Sequence, residues 1–185
     1  MMPDLKAPYV EARDRLLRLV DGLPDEAFNA KPSAKGWSAG ECVVHLNTMA
    51  KAYLPELEAA VADPDAPRAE GPFRYGWMGR QFVKAVTPGS RALPTAPAMK
   101  PPSADGLCSD IDRQRAVGRF TSDIDRFLAV VDASDGLDLA RITLRSPFAS
   151  FIRFPLGVFF EAMGQHSLRH VLQAERAVAA TRGAA

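Results

Sequence analysis

The sequence has few of the features that mark a specialised class of protein. Its two cysteines, Cys42 and Cys108, cannot build a disulfide framework in a chain of 185 residues. The net charge is only +1, so no overall field attracts nucleic acid or an anionic membrane. The longest apolar stretch, residues 151–164, contains an arginine, a proline and a glutamate, and it is too short to span a bilayer.

These absences leave an ordinary globular protein. Apolar residues make up 47% of the chain, and the N-terminal stretch is charged and contains proline, unlike a signal peptide. We therefore expect one domain over residues 1–185, located in the reducing cytoplasm, with neither nucleic acid nor membrane as a partner.

Four stretches carry apolar residues at helical spacing, at about residues 3–22, 38–62, 109–131 and 155–181. The third has the clearest pattern, because its apolar residues are separated alternately by three and four positions. These residues are Val117, Phe120, Ile124, Phe127 and Val131. No strand pattern is strong, and only a short extended piece is expected between residues 137 and 154. The sequence thus predicts an all-α fold, a four-helix bundle.

The second helix has a recognisable start. Ser38 can accept a hydrogen bond from the backbone of Glu41, while the Glu41 side chain reaches back to the Ser38 backbone. Trp37 precedes this capping box, where an apolar residue can anchor the entering chain. We therefore predict that the helix begins directly after Ser38.

A long crossover joins helices two and three. Residues 63–103 contain eight of the fifteen prolines, with one short helix predicted at about residues 75–85. From residue 71 to residue 103 there is no acidic residue, although several lysines and arginines are present. A connection of this length in a compact domain usually has a function.

The three histidines are the residues most indicative of chemistry. His166 and His170 are four positions apart in a predicted helix, which places one above the other on the face of Phe159 and Met163. His45 also lies on an inward-facing stripe. Two imidazoles at this spacing can chelate one ion, as in other helical metal motifs. Three histidines buried in an ordinary core remain the alternative interpretation.

Two segments of the sequence resemble the DinB-like family, also called YfiT-like metal-dependent hydrolases. They are Gly-Trp-Ser-Ala-Gly-Glu-Cys-Val-Val-His-Leu at residues 36–46 and Gln-His-Ser-Leu-Arg-His-Val-Leu-Gln-Ala-Glu-Arg at residues 165–176. The prolines of residues 94–102 and the Leu-Pro-Asp-Glu-Ala-Phe of residues 23–28 are also similar to this family. The order and separation of these segments carry the resemblance over nearly the whole chain.

The resemblance implies a bundle in up-down-down-up order, often a homodimer. It also implies that His45, His166 and His170 hold a divalent ion such as zinc or nickel. Some relatives transfer or isomerise small molecules with a low-molecular-weight thiol. Three neutral imidazoles leave a coordination position open, as in a catalytic site.

Other residues near the histidines have competing interpretations. Glu41 and Gln173 lie one helical turn from His45 and His170, where they could orient a ligand or line a pocket. Capping is the favoured role for Glu41, a structural role is favoured for Gln173, and Cys42 is best interpreted as a small buried apolar residue.

Aromatic and basic residues could contribute to a pocket as well. Trp37, Tyr75 and Trp77 could line it, although Trp37 is first of all the anchor of its helix. Of the crossover cations, Arg74, Arg80 and Lys84 could meet an anionic substrate or the carboxylates of a thiol, and a solvated loop face is the simpler interpretation.

Three functional hypotheses follow. The first is a metal-dependent transferase that uses a low-molecular-weight thiol, or a hydrolase, acting on a small molecule. The second is a metal-binding stress-response bundle without catalysis. The third is a helical bundle with histidines in its core and no metal.

Overall fold

The computed structural model describes residues 4–69, 71–91, 95–101 and 106–182. Within them, four long helices dominate: α1 (Ala7–Val20), α3 (Ala39–Ala62), α5 (Arg113–Ala133) and α6 (Leu156–Arg182). Two shorter helices are α2 (Asp25–Asn29) and α4 (Trp77–Val86), and residues Pro97–Met99 form a 3-10 turn. The described part of the chain is therefore mainly helical, as predicted.

The all-α prediction is incomplete, because a β-hairpin precedes α6. Strand β1 (Thr143–Ser146) pairs antiparallel with β2 (Ala149–Pro155), with an irregularity between Arg145 and Ser146. A four-residue strand is too short for alternation to stand out in the sequence. Pro155, predicted as the first residue of the last helix, instead ends β2. The first helical N–H, of Leu156, donates to the Ile142 carbonyl oxygen at 2.8 Å.

The long helices pack in a ring of contacts. Helix α3 contacts α5 and α6, and α1 contacts the same two helices from the other side. Large side chains that are fully buried fill the space between them: Tyr9, Leu16, Leu54, Leu57, Phe120, Ile124, Phe159 and Phe160. The hydroxyl of Tyr9 donates to the Phe160 carbonyl oxygen at 2.7 Å, which ties α1 to α6.

Polar side chains fix where α3 and α5 begin. The capping box forms as predicted, because the Glu41 N–H donates to Ser38 Oγ at 3.0 Å and the Ser38 N–H donates to Glu41 Oε2 at 2.8 Å. Helix α5 begins at Arg113, four residues later than predicted. Asp112 caps it by accepting from the Arg115 N–H at 2.9 Å.

The crossover between α3 and α5 contains the predicted short helix as α4, which packs on α6. The 3-10 turn contacts α3 and brings the crossover back to the helix that carries His45. Pro94 and Pro102, which bound the proline-rich segment of the resemblance, lie outside the described residues. Among the described helices, none has the length and apolar character that crossing a membrane requires.

Candidate metal centre

The three histidines meet between α3 and α6. His45 lies two turns into α3, while His166 and His170 are one turn apart on α6. One ring nitrogen of each lies within 4.8 Å of the other two. The ring centroid of His170 is 4.5 Å from those of both His45 and His166. The packing of α3 on α6 thus brings together residues that are far apart in the sequence.

Hydrogen bonding defines the tautomer of His45. Its Nδ1 is 2.7 Å from the Met99 carbonyl oxygen. Since a carbonyl oxygen only accepts, Nδ1 carries the proton and Nε2 keeps a free lone pair. This Nε2 faces His166 Nε2 at 3.0 Å. The crossover thereby orients His45 toward α6 through a backbone atom, in the way that outer partners orient metal-ligating imidazoles.

Burial keeps the three imidazoles neutral. His45 is 2% exposed and His170 is 8% exposed. Loss of hydration lowers the pKa of His45, and it lowers the pKa of His166 to about 3, helped by the neighbouring His45 and Arg169. Burial and the adjacent His166 also hold the pKa of His170 well below its usual range. The neutral form is the one that binds metal ions.

Two ring nitrogens of the cluster lack hydrogen-bond partners within the described part of the chain. The Nδ1 atoms of His166 and His170 are buried and have no hydrogen-bond partner among the described residues. Unpaired buried polar atoms are rare, because each costs about 1–3 kcal/mol. Nitrogens that share a tetrahedral ion lie about 3.3 Å apart, close to the spacing of His45 and His166. The spacing of one nitrogen from each histidine, rather than the unpaired Nδ1 atoms, is what fits a divalent ion, and the cluster could hold one.

Trp37 has a larger role than the predicted helix anchor. Its ring stacks on His170 with centroids 5.7 Å apart and lies 5.0 Å from the centroid of His45. The indole therefore covers two of the three imidazoles, and the residue before the capping box forms a wall of the site.

Glu41 and Cys42 are structural, as their favoured interpretations predicted. The second carboxylate oxygen of Glu41, Oε1, lies 3.6 Å from the buried ammonium of Lys31, so both oxygens have partners. Cys42 is buried, and this raises the pKa of its thiol. Gln173 lines the same cavity as His170, so its predicted place at the pocket is observed.

The histidines form part of the wall of a cavity of about 650 Å³. Its lining combines apolar side chains with a hydroxyl pair, Tyr53 and Ser146, whose oxygens are 2.9 Å apart. Arg169 also lines it, and its guanidinium donates to the carbonyl oxygens of Ala85 and Arg91 at 3.0 and 3.3 Å. Sequence reasoning missed Arg169, although its place directly before His170 was a usable signal. The role of the Met99 carbonyl could not be predicted from the sequence, because every residue has a backbone carbonyl group.

Arg74, Arg80 and Lys84 are exposed to solvent, in agreement with the simpler interpretation of a solvated face rather than contact with a substrate at the histidines. Arg80 and Lys84 line a second cavity of about 570 Å³, together with Tyr75 and Glu161. Burial raises the pKa of Tyr75 to about 12. Trp77 is 67% exposed. None of these five crossover residues is among those that line the histidine cavity.

The described chain is thus a mainly helical protein in which three histidines that could hold a metal ion lie together on the wall of a cavity. The family model of the DinB superfamily matches residues 9–174, which include all three histidines and the crossover. The chain belongs to the DinB superfamily. No curated protein and no solved structure matches it.

Proposed function

We propose that His45, His166 and His170 are the ligands of one divalent metal ion, and that the protein is a metal-dependent enzyme acting on a small molecule. The observation that carries the proposal is the position of the three neutral imidazoles, which face one another on the wall of a cavity large enough for a small molecule. The cavity gives a small molecule room beside the histidines, and this supports the enzyme over the non-catalytic alternative.

Zinc and nickel are the ions we propose, since imidazole nitrogen suits both. When bound to three histidines, such an ion supplies Lewis acidity at an open coordination position, which suits hydrolysis or transfer with a low-molecular-weight thiol. We propose the thiol-dependent transferase or the hydrolase as the reaction class.

The residues of this chain prepare the site for that chemistry. The Met99 carbonyl oxygen holds the proton of His45 on Nδ1, so that Nε2 stays available. Trp37 covers His45 and His170 and limits access of water to them. The hydroxyls of Tyr53 and Ser146 can donate to or accept from a molecule in the cavity, because each oxygen has more than one hydrogen-bonding position.

We further propose that the four long helices form the bundle implied by the resemblance, in up-down-down-up order, and that the chain assembles as a homodimer in the cytoplasm. The ring of contacts among α1, α3, α5 and α6 supports the bundle. Trp77, Met78 and Phe151 are 67%, 67% and 87% exposed, and large apolar side chains of this kind support an interface.

Elemental analysis of protein made without a histidine tag tests the metal proposal. We expect about one zinc or nickel ion per chain in the wild type and in Ser167→Ala. Ser167 is a suitable control, since it lies between the two histidines of α6 and its hydroxyl donates only within that helix, to the Met163 carbonyl oxygen at 2.9 Å. His166→Ala should lose the metal. Equal metal content in all three proteins, or none in the wild type, contradicts the proposal.

A further inference from the structure

The lining of the histidine cavity is asymmetric in charge. Its apolar wall includes Met49, Tyr53, Phe82, Ile152 and Met163. Its charged residues are all cations, namely Lys35, Lys100 and Arg169, and no aspartate or glutamate is among the lining residues that the structure describes. Because a histidine side chain carries no negative charge, nothing in this part of the wall compensates the positive charge.

The two lysines lie at the mouth of the cavity, on the histidine side. Both are exposed to solvent. Lys35 precedes Trp37 by two residues, and Lys100 directly follows Met99, so each lies within two residues of one that contacts His45. Neither ammonium is within 4.0 Å of a carboxylate of a described residue, whereas arginines such as Arg126 are paired in this way.

Arg169 adds charge deeper in the wall and is fixed in place. Its guanidinium donates to Ser90 Oγ and to the carbonyl oxygens of Ala85, Thr87 and Arg91. These neutral acceptors hold the group without cancelling its charge. Together with the lysines, it gives the cleft a positive potential, which the apolar walls focus because their dielectric constant is low.

We infer that the cavity takes a small amphipathic anion. Its carboxylate lies on the histidine side, near Lys35 and Lys100, and its apolar body lies along Tyr53, Phe82 and Ile152. The inference names the substrate class of the site and rests on the proposed function only for what happens to the molecule after it binds. Selection of the anion comes from the cations of the wall, independently of any metal.

Three probes with the same apolar body test this selection: 4-phenylbutyrate, 4-phenylbutanol and 4-phenylbutylamine, titrated calorimetrically into the zinc-loaded protein. We expect the carboxylate to bind about tenfold more tightly than the alcohol, as two exposed charge pairs allow, and the amine to bind most weakly. In the double variant Lys35→Gln/Lys100→Gln, the preference for carboxylate over alcohol should fall below about twofold, with binding of the alcohol unchanged. The preference should also decrease as salt increases.

Two further variants test whether other cations or the metal cause the preference for the carboxylate. Arg80→Gln/Lys84→Gln removes two cations at the other cavity and should keep the wild-type preference. His170→Ala should keep it as well, because the lysines remain.

Equal binding of carboxylate and alcohol by the wild type, an unchanged preference in the lysine variant, or no binding of any probe overturns the inference. Loss of the preference in His170→Ala assigns the carboxylate to the metal and overturns it too. A wild type that binds no metal refutes the proposed function, yet the charge preference is still measured by the same titration.

Discussion

Replacement of His170 by alanine separates a catalytic metal site from a structural one. In the absence of metal, the variant loses the packing of a buried ring against Trp37 and the other two histidines. It also removes the buried Nδ1 atom that has no partner among the described residues. The lost packing destabilises the protein by a few kcal/mol, and removal of the unpaired nitrogen stabilises it by about 1–3 kcal/mol. The free energy of unfolding should therefore fall by only about 1 kcal/mol.

The metal-dependent part of the stability should change much more. At a zinc concentration 100 times the dissociation constant, the wild type gains about 2.7 kcal/mol of stability. Changes outside the ligand sphere already cost 10–100-fold in affinity, so loss of a ligand should cost at least about 100-fold. At the same zinc concentration the variant then gains about 0.4 kcal/mol or less. For a protein of this size, these gains correspond to shifts in Tm of about 5–11 °C and about 1–2 °C.

Thermal unfolding followed by circular dichroism, with and without zinc, measures both quantities. The control Ser167→Ala should show the wild-type zinc shift, since its hydroxyl bonds only within α6. A full zinc shift in His170→Ala would show that His170 is not a ligand. If His170→Ala and the zinc-free wild type lose their helical signal, the metal supplies folding free energy, as in a structural site, and our reasoning is refuted.

Three other predictions concern the fold and the assembly. Ser38→Ala removes the cap of α3 and should lower the free energy of unfolding in urea by about 1–2 kcal/mol, whereas no change would mean that the Glu41 contact contributes nothing. Tyr9→Phe leaves the ring in the core but removes the hydrogen bond to the Phe160 carbonyl, and a loss of about 1–2 kcal/mol is expected in the same assay. Light scattering at micromolar concentration should give twice the mass of the chain, with an interface of over roughly 1,000 Å² in total; the mass of one chain would contradict the dimer.

Features that depend on neighbours in the sequence were predictable. The capping box of Ser38 and Glu41 spans three residues, and the pair His166 and His170 spans four, so a regular helix alone fixes both arrangements. The short helix in the crossover was also predicted close to its observed position. The hairpin was expected only as an extended piece, because strand pairing depends on a partner that a short pattern does not specify.

The surroundings of the histidines were predictable only in part. An inward stripe and a family resemblance pointed to His45, but the carbonyl that orients it comes from a residue 54 positions later in the chain. The second partner of Glu41, Lys31, is likewise set by how the chain enters α3.

The sequence by itself determined the approximate positions of the four long helices, the start of α3 and the spacing of two histidines, because these follow from local patterns along the chain. Only the tertiary structure decided that Trp37 stacks on His170, that Arg169 is fixed by the end of α4, and that Lys35 and Lys100 share the mouth of one cavity. These contacts depend on how whole helices pack and where a long crossover returns. Packing sums many weak interactions over the entire chain, so no local pattern of residues encodes it.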